Sequence, residues 1–358
     1  MGDWQKRCEI NEDVIFFSYT KLKEEDRASE VFIWDLDKTY LDTAFETVKG
    51  LIRTVFEKGN QKKNVPGTAE LVRVLKQSWS EQNSGSALPL YFITGSPPQL
   101  ETRIKEKLQF DGLNPKGIFF KDNMQNLRPK RLWRITKQVG FKIQSLLQLR
   151  LRLKDDVKQL LWGDDSEYDA VIYSLYSDIC SRRLDREELQ KILKHYHVVG
   201  SQMAKIFDLQ EQIPENDPVD KIYINLAVDT DAEYYLKFGR RTLPTYNSFQ
   251  TSLDFFQDGR VKANHVIDVG RALVDKYDFT MDEIQQSFDD LIRRQVLGEQ
   301  AVEELLPVFY ESGFFKHKFE PSIAPKRISS QKDGRVYELE GTFEPWIPER
   351  IDYVHDYR

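Results

Sequence analysis

A chain of 358 residues, 40% of them apolar, is long enough for one large domain or two, each with a buried core. Its net charge of −6 excludes a nucleic-acid-binding signature for the chain as a whole. Its two cysteines, Cys8 and Cys180, form no metal-spacing motif and read as free thiols of a reducing compartment. No apolar run approaches the roughly 18 residues of a membrane span. The opening "MGDWQKRCEINEDV" has neither the apolar core of a secretory signal nor the Ser or Thr of a myristoylation site. A cytoplasmic location is expected. The basic stretch "RPKRLWRITK" (128–137) reads as the solvated flank of a loop and helix, so no nucleic-acid partner is expected.

In chain order, "VFIWD" (31–35) is the first apolar run of strand type. Helical spacing follows in Ala44, Phe45, Val48, Leu51, Ile52, Val55 and Phe56, then in Leu71, Val74 and Leu75 after "VPGTAE". "LPLYFIT" (88–94) is a second strand, closed by the turn signal "GSPP". Leu100, Ile104 and Leu108 follow the proline pair, which suits a helix start. "GIFF" (117–120) is a third strand, and Phe141, Leu146 and Leu147 mark a helix. "VKQLLWGDD" (157–165) and "KIYINLAVDTD" (221–231) are strands that end in acids. Ser166 is the expected cap of the helix after the first of these, with Asp169 three residues on. The strands do not alternate apolar and polar residues, so they read as buried on both faces, as parallel strands are. Strand alternating with helix predicts an α/β fold with a doubly wound, mostly parallel sheet.

After about residue 231 the strand runs stop. Asn247 caps "SFQTSLDFFQDG"; "HVIDVGRALVDKY" follows; Thr280 and Glu283 form a capping box for "MDEIQQSFDDLIRRQV"; "EQAVEELLPVFYES" is a fourth helix. The expected organisation is a core over 1–231 and a helical C-terminal region over 232–358, packed on or over it.

In open α/β sheets, ligands bind at the carboxyl ends of the strands. Those ends carry Asp35 and Asp37, then Thr94, Gly95 and Ser96, then Asp164 and Asp165, with Asp169 beyond. Five carboxylates converging there would not all stay ionised without a cation. All-oxygen ligands point to a hard ion, and Mg²⁺ suits few carboxylates plus a substrate phosphate. A second Asp-x-Asp in "VDTD" (228–231) reads better as a solvated loop. Arg240 and Arg241 read better as surface residues than as phosphate ligands. His195 and His197 have no third ligand nearby and read as a helix end.

The order of these pieces resembles the haloacid-dehalogenase-like hydrolases. That family's Asp-x-Asp-x-Thr is Asp35-Leu36-Asp37-Lys38-Thr39 here, its Ser or Thr after strand two is Thr94, and its acidic motif is Gly163-Asp164-Asp165-Ser166-Glu167-Tyr168-Asp169. The likeness covers residues 30 to about 230. "YFITGSPPQL" (91–100), "FKIQSLL" (141–147) and "WGDDSEYDAVIY" (162–173) are similar to stretches of the actin-patch phosphatidate phosphatase catalytic domain. Three positions depart from that family: Lys38 stands where it has Asp, Asp165 where it has Ser, and Ala170 where it has Pro.

The resemblance implies a nearly capless Rossmann-like core and a Mg²⁺-dependent phosphomonoester hydrolase working through an aspartyl-phosphate. Asp35 is then the nucleophile and Asp37 the acid and base, its pKa raised by the neighbouring acids. Thr94 and Lys142 hold the phosphoryl oxygens, with Thr39, Gly95 and Ser96 lining the substrate. Asp35, the Asp37 carbonyl and Asp164 hold the metal. Asp165 and Asp169 stand behind them, Asp169 orienting Lys142. Lys137, Lys154 and Lys158 compete with Lys142 for the lysine role. Spans 40–66 and 121–140 leave little room for a cap, and an open site suits a large substrate. Phosphatidate or a similar lipid is the leading expectation, met at a membrane surface without a transmembrane segment. A protein or small-metabolite phosphatase is the alternative on the same core. A scaffold protein with a vestigial phosphatase core is the alternative from another class.

Overall fold

The structure, a computed structural model, describes residues 3–20, 28–42, 64–122, 138–227, 229–316, 319–326 and 345–355. The helix expected over 44–56, most of the spans in which a cap was sought, and the basic stretch 128–137 lie outside the described residues.

The elements run in chain order. Strands β1 (Glu9–Asn11), β2 (Val14–Ser18) and β3 (Glu30–Asp35) come first. Helix α1 (Thr68–Gln82), strand β4 (Leu90–Thr94), helix α2 (Glu101–Phe110) and strand β5 (Gly117–Lys121) follow. Next are helix α3 (Val139–Arg150), strand β6 (Lys158–Asp164), helix α4 (Asp169–Cys180), helix α5 (Arg186–His195) and helix α6 (Gly200–Gln212). Then come strands β7 (Val219–Asn225) and β8 (Thr242–Thr245) and helices α7 (Ser248–Gln257), α8 (Ala263–Tyr277), α9 (Met281–Arg293) and α10 (Glu299–Glu311).

The chain divides into two compact units, one of residues 1–63, 89–224 and 349–358 and one of 64–88 and 225–348. In the first, seven strands lie in the order β1-β2-β5-β4-β3-β6-β7. β3 pairs in parallel with β4 and β6, and β4 in parallel with β5. Every residue of β4 and β5 is buried, which explains why these strands read as continuous apolar runs. The N-terminal hairpin was not expected. β1 and β2 are antiparallel to each other, and β2 is antiparallel to β5. β1 is only three residues long and mostly exposed, so it carries no apolar pattern to read. Nor do the strands stop at 231, since "TLPT" forms β8.

Below the carboxyl edge of the first unit, Trp34 stacks on Trp162 at 4.8 Å and Trp162 on Tyr223 at 4.6 Å. The stack runs across β3, β6 and β7 and packs the residue next to Asp35. The final segment returns here: Tyr353 donates to Asp178 Oδ2 at 2.5 Å and accepts from the Tyr196 hydroxyl at its carbonyl, 2.6 Å.

The second unit is mostly helical. Asn247 caps α7 by accepting from the Gln250 N–H, and Thr280 with Glu283 form the expected capping box of α9. Phe249, Phe288, Phe309, Phe314 and Phe315 form its aromatic core. Arg241 is buried here, not on the surface as expected, with only 1% of its area exposed. His265, three residues into α8, accepts from the Lys262 N–H through Nδ1 at 3.2 Å.

Two predictions follow from this packing. Trp34→Ala should cost about 3–5 kcal/mol of stability, read by urea denaturation. Burial lowers the His265 pKa, so the unfolded chain takes up the proton more readily. Its contribution is therefore full above the unfolded value of about 6.5 and declines as pH falls through it. His265→Gln should flatten that acid limb in thermal melts recorded from pH 7.5 to 5.

Candidate active site

Strand register sets the site. Asp35 lies opposite Ile93, so Thr94 is one step further along its neighbour. Trp34 lies opposite Trp162, so Asp164 sits two steps on, at the same edge. The chain turns back on β3 between β4 on one side and β6 on the other. This is the reversal of strand order at which open α/β sheets bind ligands.

After Asp35 the backbone turns sharply. The N–H groups of Tyr40 and Leu41 both donate to the Leu36 carbonyl, and Asp37 bridges to Leu41. The turn folds Thr39 back so that its hydroxyl lies 3.2 Å from Asp35 Oδ2 and 3.4 Å from Asp164 Oδ2. Thr94 donates to Asp37 Oδ2 at 2.6 Å, and the Ser96 N–H donates to the Thr94 hydroxyl at 3.0 Å.

Lys142 comes from α3, a helix buried along its whole length. Its ammonium lies 3.0 Å from Asp35 Oδ1, 2.9 Å from Glu167 Oε2 and 2.5 Å from Asp169 Oδ1. The competing lysines are elsewhere: Lys154 and Lys158 are exposed, Lys158 opens β6 at the opposite edge, and Lys137 lies outside the described residues. Asp169 also accepts the Asp164 N–H through Oδ2 at 3.2 Å. Ser166 does not cap α4, which begins at Asp169. It donates to Asp164 Oδ1 instead, from its N–H at 2.6 Å and its hydroxyl at 2.5 Å, because that carboxylate is nearer than the helix end.

Asp35, Asp164 and Asp169 are all buried and offer ligand oxygens within 4.8 Å of one another, a group able to hold a metal ion. Asp165 is half-buried and outside this trio, and Gly95 is half-buried beside the fully buried Ser96. Burial drives the carboxyls up: Asp35 well above the usual range, Asp164 above it, and Asp169 to about 7. Burial alone would lower Lys142, but Asp169, Asp35 and Glu167 outweigh it and hold the ammonium well above its ordinary value.

The sequence motifs did not single out Glu167 or Lys121. Glu167 lies in the polar loop between β6 and α4, where no motif position marks it. Lys121 is the last residue of β5 and is buried. The strand-end rule, applied one residue beyond "GIFF", would have found it. β7 ends at Asn225, and the exposed Asp231 caps a short 3₁₀ turn by accepting from the Glu233 N–H. His195 ends α5, and His197 follows in a left-handed conformation.

A buried acidic trio, two of whose members are salt-bridged to a lysine, at the carboxyl edge of a parallel sheet, is a site suited to phosphoryl chemistry. Residues 31–186 match the family model of the phosphatidate phosphatase APP1 catalytic domain. No curated protein and no solved structure matches the chain. Among the described residues, no helix is long and apolar enough to cross a membrane.

Gly163 is what lets Asp169 reach its place. A Cβ there would lie 2.4 Å from the Asp169 Cβ and carboxylate. Gly163→Ala should therefore displace Asp169 from the Asp164 N–H and cost about 1–3 kcal/mol, measured by chemical denaturation.

Proposed function

We propose that the chain is a Mg²⁺-dependent phosphomonoester hydrolase that acts through an aspartyl-phosphate on phosphatidate or a related lipid phosphate. The observation that carries this reading is the acidic trio around Lys142 within the segment that matches the phosphatidate phosphatase family. Three buried or half-buried carboxylates around one ammonium, with Asp164 beside them, are an unstable set of charges unless a cation joins them.

The donors fit Mg²⁺, since all are oxygens and the carboxylates of Asp35 and Asp164 come within 4.8 Å of one another. Asp35, Asp164 and the Asp37 carbonyl are the residues that would hold it. Asp169 is engaged otherwise, one oxygen on Lys142 and the other on the Asp164 N–H, which suits it to orienting both. Bound there, Mg²⁺ would offset the charge of the phosphoryl oxygens.

The chain's own residues supply the remaining chemistry. Asp35 attacks phosphorus, and the P–O bond to the leaving alcohol breaks. Asp37 gives its proton to the departing oxygen. A water then loses a proton to Asp37 and attacks the aspartyl-phosphate, which releases phosphate and restores Asp35. Thr94, through its 2.6 Å hydrogen bond, fixes the Asp37 carboxyl for both transfers. Lys142 meets the phosphoryl oxygens while Asp169 holds its ammonium in place.

Phosphate release from an aryl phosphate and from phosphatidate vesicles, with and without Mg²⁺, tests this. Release should need both Mg²⁺ and Asp35, so Asp35→Asn should abolish it. Asp169→Asn should lower kcat by about 10–100-fold while the protein stays folded. A preference for the vesicles identifies a lipid substrate, and a preference for the soluble ester overturns the lipid assignment. No release from a folded, Mg²⁺-binding protein would overturn the phosphatase reading.

A further inference from the structure

Lys121 is a second buried cation at the same edge, and the chemistry above does not use it. Thr94 lies opposite Phe120, so Lys121 stands level with Gly95, one step beyond. Its N–H donates to the Ser96 carbonyl at 3.3 Å, which ties the end of β5 to the loop after Thr94. With 1% of its area exposed it is as buried as Asp35. The charged groups that face it are Asp13, Glu167 and Lys142, and burial lowers it to about 8.

Its acidic neighbours are themselves held in place. Asp13 sits in the β1–β2 turn, brought to this edge because Val14 pairs with Lys121. It accepts from Gln144 Nε2 at 3.2 Å and Gln202 Nε2 at 2.6 Å. Glu167 accepts from Gln138 Nε2 at 3.3 Å and lies 2.9 Å from the Lys142 ammonium. Beside Lys121, the Ser96 hydroxyl is buried and has no hydrogen-bond partner among the described residues. A buried hydroxyl left in that condition loses free energy unless a ligand engages it.

Lys142 is shared among three carboxylates, so little of its charge is left for an incoming anion. A phosphomonoester brings two negative charges and a phosphodiester one. Resting on the phosphatase reading, we propose that Lys121 and the Ser96 hydroxyl form a second anion-binding element of the site, which binds the phosphoryl oxygens of a dianionic monoester and so selects monoesters over diesters.

The test is Lys121→Met in the full chain with Mg²⁺, read by calorimetry with inorganic phosphate and by kcat and KM on an aryl phosphate. Phosphate affinity should fall and KM rise by about tenfold or more, with kcat changed far less, as the loss of a charged hydrogen-bonding partner predicts. Ser96→Ala, a smaller change that leaves the strand ends packed, should weaken both by about fivefold. Should thermal melts show Lys121→Met unfolded, Ser96→Ala carries the test. Unchanged phosphate affinity and KM in the folded variant, while Lys142→Met abolishes both, would overturn this inference and leave the phosphatase reading standing. A wild-type chain that neither binds nor releases phosphate would overturn both.

Discussion

The ammonium of Lys142, held among Asp35, Glu167 and Asp169, is the constraint on which the rest of the first unit depends. Three carboxylates drawn from a strand end, a loop and a helix start would repel one another without it. Taking such a group out of water costs several kcal/mol per ion, so its geometry must be held closely. That requirement explains α3. A helix carrying Lys142 into the interior must itself be enclosed, and every residue from Val139 to Arg150 is buried. Gly140 permits the enclosure: a Cβ there would lie 2.5 Å from Gln202 Oε1 on α6. The lysine is thus positioned by packing around the whole helix, and its rotamer freedom is spent before any substrate arrives.

The strands do the complementary work. Parallel register between β3, β4, β5 and β6 brings Asp35, Thr94, Lys121 and Asp164 to one edge without any of them being near another in sequence. The chain leaves β3 immediately after Asp35, so Asp37 belongs to a turn and not to the strand. That separates two carboxylates that a continuing strand would have pointed the same way. Asp35 faces Lys142 and the other two members of the acidic trio, while Asp37 receives the Thr94 hydroxyl. Two aspartates two residues apart therefore have different surroundings, as the proposed roles of nucleophile and proton carrier require.

What was legible in the sequence follows from the same physics. The central strands could be read because burial on both faces leaves an unbroken apolar run, and their polar ends mark the ligand edge. The capping residues Asn247 and Thr280 could be read because caps are local chemistry. The β1–β2 hairpin and β8 could not, being short and set by tertiary pairing. Ser166 was misread because a local cap and a contact with Asp164 compete for the same hydroxyl, and only the fold decides between them. Lys121 and Glu167 escaped for a related reason. A lysine after an apolar run and a glutamate in a polar loop are ordinary residues until the sheet and α3 bring them towards one another.

The three departures from the phosphatidate phosphatase pattern can be located physically. Lys38 lies in the turn after Asp35 with a φ of 59°, a left-handed conformation that costs a long side chain about 1–2 kcal/mol and that a short Asp tolerates better. Asp165 is half-buried and outside the acidic trio. Ala170 is the second residue of α4, inside the first turn, where a Pro would also be accepted because the N–H there has no helical partner. None of the three is among the residues that contact Lys142 or make up the trio. The group suited to phosphoryl transfer is therefore intact, and the differences fall on the turn, loop and helix start around it.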